Sequence, residues 1–271
     1  MLIFVAAVAI LAPVIEPYDP AKQAVGAPLQ SPTPAYPAGT DAFGRDQLSR
    51  LIAGAQISVM VAVIVALVSV LLGGALGLVL GYRGGRIDFV VGRVLDVAFS
   101  FPDLLLALVL SAILGAGLKT VTIALCIIYI PVATRFVRGV VTAERAKDYV
   151  SAARVTGASP LRIMFRHIVP NIVSPVLVLA TSIMAFSILA EAALSYLGFG
   201  SQPPTSSWGK MLSENIAYVS TEAYLVIIPG LAITFVVVAL SLLGDGLRDY
   251  LDPRQRLASE RVSAGHANEA D

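Results

Sequence analysis

The sequence contains little charge and few side chains that could carry chemistry. Asp, Glu, Lys and Arg make up 14% of its 271 residues, compared with about 25% in an ordinary soluble domain. The net charge of +1 gives no indication of a nucleic acid partner. One cysteine, Cys126, and two histidines, His167 and His266, are too few for an intrachain disulfide or a metal site. We therefore expect no metal site and no catalytic residues in this chain.

A phosphate-binding loop is also missing from the sequence. Such a loop needs two glycines five residues apart, followed by Lys and then Ser or Thr. The nearest approach is residues 204–211, where Pro204 replaces the first glycine and Met211 replaces the hydroxyl residue. We predict that the chain is not an enzyme and that it binds no ATP and no other cofactor itself.

What the sequence does contain is long apolar runs. Hydrophobic residues make up 57% of the chain, and the mean hydropathy is +0.82. A helix that crosses a membrane needs about 20 mostly apolar residues. The runs that approach or reach this length are residues 1–15, 57–80, 97–118, 120–141, 172–195 and 223–243. They predict an all-α, polytopic membrane protein with about six transmembrane helices.

The remaining segments divide the chain into four parts. Residues 1–15 are short for a span, so we expect the first transmembrane helix to begin upstream of Met1. Residues 16–55 are predicted to form an extracytoplasmic proline-rich segment, in which residues 16–37 show no helical period and are expected to form an extended loop. Residues 56–250 form the transmembrane domain, which includes a long polar loop at 142–169. Residues 251–271 are predicted to form a polar cytoplasmic tail.

The distribution of basic residues sets the predicted topology. If successive spans alternate in direction, 14 of the 19 lysines and arginines fall on one side of the membrane. Basic loops are retained in the cytoplasm. This places the loop 142–169 and both termini in the cytoplasm, in a multi-pass protein of the plasma (inner) membrane.

The loop 142–169 reads as two short helices. Tyr149, Ala152, Ala153 and Thr156 share one face of the first helix, which Gly157 ends. The second helix begins at Ser159 and Pro160, places Leu161, Phe165 and Ile168 on one side, and is separated from the next span by Pro170 and Pro175. The residues alone leave two interpretations open, an amphipathic loop on the lipid surface and a docking site for a soluble partner.

The first of these helices resembles the cytoplasmic signature of ABC-importer permeases. That signature is Glu-Ala-Ala, three residues, Gly, nine residues and Ile-x-Leu-Pro. Here Ser151 replaces the glutamate, Gly157 stands in place, and Pro170 follows at the required spacing. The resemblance implies that an ATPase contacts the positions Tyr149, Ser151, Ala152, Ala153, Thr156, Gly157 and Pro170.

Further segments resemble the dipeptide/oligopeptide/nickel subfamily of these permeases. They are residues 39–46 (Gly-Thr-Asp-Ala-Phe-Gly-Arg-Asp), 81–85 (Gly-Tyr-Arg-Gly-Gly), 190–198 (Ala-Glu-Ala-Ala-Leu-Ser-Tyr-Leu-Gly), 202–205 (Gln-Pro-Pro-Thr) and 243–249 (Leu-Gly-Asp-Gly-Leu-Arg-Asp). The resemblance implies an ABC type I importer permease fold and the import of di- or oligopeptides, with nickel chelates as the alternative cargo. It also implies a homologous permease subunit, two ATPase subunits that hold ATP and Mg²⁺, and an extracytoplasmic solute-binding protein. A proton-coupled secondary transporter is the rival, but a single deep carboxylate and no repeat make a poor proton relay.

Two further sets of residues are candidates for a role. Ser69, Gly73, Gly77 and Gly81 recur every four residues and predict a face for close helix packing, against either another helix of this chain or a second permease. Glu191 is a carboxylate inside an apolar run, where insertion costs about 2.5–3.5 kcal/mol. Both a structural hydrogen-bonding role and a role in the transport pathway are open for it.

Overall fold

The structure, a computed structural model, describes residues 2–251, so that the predicted tail lies outside the described residues apart from its first position. Within this range the regular elements are helices, with one isolated β-bridge between Thr40 and Asp46. The helices are α1 (Leu2–Ile15), α2 (Gln47–Val68), α3 (Gly74–Arg83), α4 (Gly85–Ala98), α5 (Asp103–Leu114), α6 (Leu118–Arg145), α7 (Asp148–Val155), α8 (Pro160–Arg162), α9 (Val169–Tyr196), α10 (Trp208–Asn215) and α11 (Tyr224–Leu251).

Within residues 2–251, four helices are long and apolar enough to cross a membrane, and they match four of the predicted runs. They are Gln47–Arg83, Leu118–Arg145, Pro160–Tyr196 and Tyr224–Tyr250. The α4–α5 pair makes a fifth span if it is counted as one. Helix α1 is apolar but has 14 residues, fewer than the roughly 20 that a span requires.

The run 97–118 is not one helix, which corrects the sequence-based boundary. Helices α4 and α5 meet at an angle of 83°. Pro102 lies between them with extended backbone, φ −60° and ψ 129°. Proline disfavours helical geometry in the residue before it and lacks the N–H that a continuing helix would need. The apolar composition spans the break, so hydropathy alone merged the end of α4 with α5.

The predicted separation between the second loop helix and the next span is also wrong. Helix α8 continues through a π-helical turn, Ile163–Ile168, directly into α9, and Pro170 occupies the first turn of α9. A π-helical turn changes which residues face inward. Ile168 is buried, whereas Leu161 and Phe165, which were predicted to lie on the same side of the helix, are each 64% exposed. Ile163 and Met164 are buried in their place.

The small residues of the α2–α3 helix lie against α6 of the same chain. Ser69 and Gly73 fall in the π-helical turn that joins α2 to α3, and Gly77 and Gly81 follow in α3. A Cβ added to Gly77 would lie 2.6 Å from the carbonyl oxygen of Thr134. A Cβ on Gly73 or Gly81 would similarly meet α6 backbone at 2.5 or 2.7 Å. Of the two neighbours left open by the sequence, the structure places an internal helix on this face.

Candidate functional site

Helix α7 is fixed to the bundle by one tyrosine and two inward-facing residues. The hydroxyl of Tyr149 donates to the carboxylate of Glu144, with an oxygen–oxygen distance of 2.7 Å. Burial, together with this hydrogen bond, raises the pKa of Tyr149 to about 12, so the hydroxyl remains protonated at physiological pH. Val150 and Ala153 are buried in the main hydrophobic core. Tyr149 and Ala153 therefore hold the loop in place from its inner side.

The outer side of α7 is the surface that remains open. Ser151, Ala152, Thr156 and Gly157 are exposed, and Val155 is 88% exposed. The sequence placed Ala152 and Ala153 on one small-residue face, but the two point to opposite environments. A surface of small side chains, with Val155 at its centre, allows another protein to approach the helix closely. Val155 was not singled out from the sequence, although its apolar character in a polar loop was a usable signal.

Gly157 adopts the backbone conformation that a glycine after a helix often takes. Its φ is +78°, which strains any residue with a Cβ. Its N–H donates to the carbonyl of Arg154, and the next N–H, of Ala158, donates to that of Ala153. These bonds satisfy the end of α7 and turn the chain toward Ser159, whose side chain accepts from the N–H of Arg162.

Glu191 lies inside the bundle and is fully buried. Its carboxylate accepts hydrogen bonds from Ser58 in α2 at 3.0 Å and from Ser195, one turn later in α9, at 2.6 Å. A buried charge is tolerated when its hydrogen bonds are made. Both donors belong to this chain, so the geometry favours the structural interpretation of Glu191 over the pathway one.

A buried ionic cluster on the opposite side of the bundle from α7 was not foreseen. Arg50 is fully buried and donates to Asp41 at 2.6 Å and to Glu214 of α10 at 2.7 Å. Arg45 contacts the same two carboxylates at 2.6 and 2.7 Å. The cluster fastens the proline-rich segment to α10. The spacing of Asp41 and Arg45 was a local signal, whereas Glu214 is distant in sequence and could not be paired in advance.

The long apolar helices indicate a membrane-spanning protein, and comparison with known proteins gives its family. Among the described residues, no group of three or more His, Cys, Asp or Glu could hold a metal ion. The chain belongs to the family of the binding-protein-dependent transport system inner membrane component, which matches residues 73–257. It is therefore a permease component of an ABC importer, carried in the membrane by several apolar helices.

Similar proteins share most of their length with this chain. The dipeptide transport system permease protein of Haemophilus influenzae is 42% identical over 259 residues, covering 93% of this chain and 88% of its own. That of Escherichia coli K12 is 44% identical over 253 residues, covering 91% and 84%. A structure of inward-facing conformations of the MetNI methionine ABC transporter superposes with a TM-score of 0.62 at 18% identity, covering 75% of this chain and 96% of its own. This likeness confirms the fold.

Proposed function

We propose that this permease imports di- or oligopeptides through the plasma membrane. The observation that carries the proposal is its identity of more than 40% to dipeptide permeases over nearly the whole chain. Nickel chelates remain the second candidate cargo, since similar chains of the resembled subfamily carry them. The complex would contain a homologous permease, two ATPase subunits that bind ATP and Mg²⁺, and an extracytoplasmic binding protein that delivers the peptide.

The exposed surface of α7 is the proposed contact with an ATPase. Ser151, Ala152, Val155 and Thr156 form a small surface that a cleft in a soluble protein can enclose. Tyr149 and the buried side of α7 would pass its displacement to α6 and α9. The energy would come from ATP binding more tightly to one state of the complex than to the other. This surface would lie in the cytoplasm, together with both termini.

Reconstitution tests the proposed cargo and the energy source together. Proteoliposomes that contain both permeases and both ATPases should accumulate a radiolabelled dipeptide when its binding protein and ATP are supplied. Accumulation should stop when ATP is replaced by a non-hydrolysable analogue. Uptake that follows an imposed proton gradient without ATP would instead support a secondary transporter. Uptake of a nickel chelate and not of peptides would show that the cargo is a nickel chelate.

The docking surface is tested by arginine substitutions at matched alanines. Ala152→Arg places a long cation on the exposed face of α7, so we expect loss of co-purification with the ATPases and a reduction in uptake of at least tenfold. Ala143→Arg, on an exposed position of α6 outside the signature, is the control and should transport normally. Normal uptake by Ala152→Arg would return the loop to the lipid-surface interpretation, since added positive charge is favourable near anionic headgroups.

A further inference from the structure

A pocket opens where α5, α6 and α9 meet, just after the α4–α5 bend. Its volume is about 300 Å³, at the lower limit of small-molecule sites. Most of its lining is apolar and includes Leu104, Ile128 and Phe186, and the two lining residues with polar side chains are Asp103 and Tyr129. Asp103 and Tyr129 line the same pocket although they belong to different helices. The pocket thus offers one negative charge and one hydroxyl against apolar walls.

Asp103 differs from the acidic residues that precede it on the same broken span. Asp96 binds Arg135 at 2.5 Å, and Asp88 forms an ion pair with Arg138. Both arginines belong to α6, so α4 is tied to α6 by matched charges. Asp103 is exposed, and within the described part of the chain it has neither a salt bridge nor a side-chain hydrogen bond. Arg135 is the basic residue of α6 closest in sequence to Tyr129. It already pairs with Asp96, and its guanidinium carbon lies 4.0 Å from the centroid of the Phe99 ring.

The depth of this carboxylate in the bundle makes its open position costly. Tyr129 lies eleven residues after the start of α6 at Leu118, which is about 16 Å along the helix. If the bilayer core, which is about 30 Å thick, begins level with Leu118, then Tyr129 and Asp103, which line the same pocket, lie near its middle.

Local structure does not offset that cost. A carboxylate at this depth costs about 2.5–3.5 kcal/mol on insertion scales. An acid in the first turn of a helix, as Asp103 is in α5, recovers about 0.3–1 kcal/mol from the helix dipole. Because the insertion cost exceeds the gain from the helix dipole, Asp103 must face water or a cation and not lipid.

We propose that Asp103 and Tyr129 bind an ammonium group of the transported solute midway through the membrane. The inference rests on the proposed function, because every free peptide carries an α-ammonium and some carry a lysine ammonium as well. Asp103 would replace part of the water that the ammonium loses on entering the permease. The Tyr129 hydroxyl would accept a second hydrogen bond, and the apolar walls would accommodate the side chain beside the charge. The bend at Pro102 is what carries Asp103 to this depth.

Chemical labelling tests whether Asp103 faces an aqueous path. The probe is a membrane-impermeant cationic methanethiosulfonate, applied to Asp103→Cys in a Cys126→Ser background within the full complex. We expect the thiol to react, because thiolates form in water, and we expect a transported dipeptide to slow the reaction during ATP turnover. A thiol that reacts only with a lipid-soluble maleimide would place residue 103 against lipid and overturn the proposal.

Transport by Asp103→Asn tests whether the carboxylate binds an ammonium group of the solute. Asp103→Glu is the control variant that keeps the charge. Loss of a charge-assisted hydrogen bond corresponds to about a tenfold change. We therefore expect about tenfold slower maximal uptake by Asp103→Asn, largely restored in Asp103→Glu, when the variants are compared at equal amounts of assembled complex. Tyr129→Phe should slow uptake by a smaller factor. An equal loss for dialanine and lysyl-alanine identifies the α-ammonium, and a loss confined to lysyl-alanine identifies the side chain.

The remaining outcomes separate the two proposals. Unchanged uptake of both dipeptides by Asp103→Asn, where the parent complex transports them, overturns the ammonium site and leaves the peptide function standing. Failure of Asp103→Asn to assemble with the second permease shows that a cation of that partner occupies the pocket, and it also overturns the site. Absence of peptide uptake by the parent complex overturns both.

Discussion

At the scale of single residues, the buried charges of this chain divide into paired and hydrogen-bonded groups. Arg50 and Arg45 share Asp41 and Glu214, and Glu191 is held by serine hydroxyls. Removing one partner of a buried pair leaves the other charge uncompensated, which costs about 3–5 kcal/mol. Exposed pairs contribute about 0–1 kcal/mol. The position of a charge therefore decides its effect on stability more than its presence does.

Arg50 provides the first prediction. Arg50→Met should lower the melting temperature of the purified permease by about 10 °C, because Arg45 is then left as the one guanidinium shared by the carboxylates of Asp41 and Glu214. Arg93→Met is the matched control, since Arg93 is 69% exposed and its oxygen partner on Asp96 lies 3.6 Å away. The control should shift the melting temperature by no more than about 3 °C. Equal shifts in a thermal melt of the two variants would contradict this account of the cluster.

Glu191 provides the second prediction, which separates its two possible roles. Glu191→Gln keeps oxygen and nitrogen atoms beside Ser58 and Ser195, so the variant should assemble and transport nearly normally. Glu191→Leu leaves both hydroxyls without their acceptor, at about 1–3 kcal/mol each, and should reduce the amount of folded protein. Uptake rates of the two variants, measured at matched expression, distinguish the structural role from the pathway role. A Glu191→Gln permease that is stable but inactive would return the carboxylate to the transport pathway.

At the scale of elements, α3 packs closely against α6 through its glycines. The third prediction compares two neighbouring glycines of α3. A Cβ at Gly77 would lie 2.6 Å from the Thr134 carbonyl oxygen, whereas a Cβ at Gly74 has Val137 at 3.9 Å as its nearest contact. Gly77→Ala should therefore destabilise the permease by about 1–3 kcal/mol. Gly74→Ala should be neutral or stabilising, because alanine favours helix. Thermal melts of both variants test the difference, and a stable Gly77→Ala would contradict the backbone contact.

The sequence predicted the long helices well and their interruptions poorly. Length and hydropathy were sufficient for α6 and α11, because a bilayer demands both. The same criteria merged α4 with α5, since a bend at Pro102 leaves composition unchanged. They also separated α8 from α9, because Pro170 reads as a break unless a π-helical turn precedes it. Such turns depend on contacts with other helices, which a local pattern does not contain.

In the candidate site, too, features that depend on sequence spacing were predictable and features that depend on contacts between distant residues were not. The spacing of Ser151, Gly157 and Pro170 was enough to find the loop, and the φ of Gly157 agrees with the helix end expected there. The orientation of Ala153 was not predictable, because it depends on Val150 and the core beneath α7. Asp103 and Tyr129 are separated in sequence, and only the folded chain brings them to one pocket.

At the scale of the whole molecule, orientation in the membrane is the fourth prediction. The loop at Thr205 and the loop at Ser151 lie beyond opposite ends of α9, and both residues are exposed. Single cysteines at these sites, in a Cys126→Ser background, should be labelled from opposite sides of the membrane. In intact cells an impermeant maleimide should react with Thr205→Cys and not with Ser151→Cys. The reverse pattern would invert the proposed topology.

The helix from Pro160 to Tyr196 is continuous through its π-helical turn, so a tilt at one end would be carried to the other end. Its 37 residues correspond to a rod of about 55 Å. A tilt of about 10° about one end of such a rod displaces the other end by roughly 10 Å. A small tilt of this helix near α7 would therefore produce a larger displacement of the residues around Glu191 and α10.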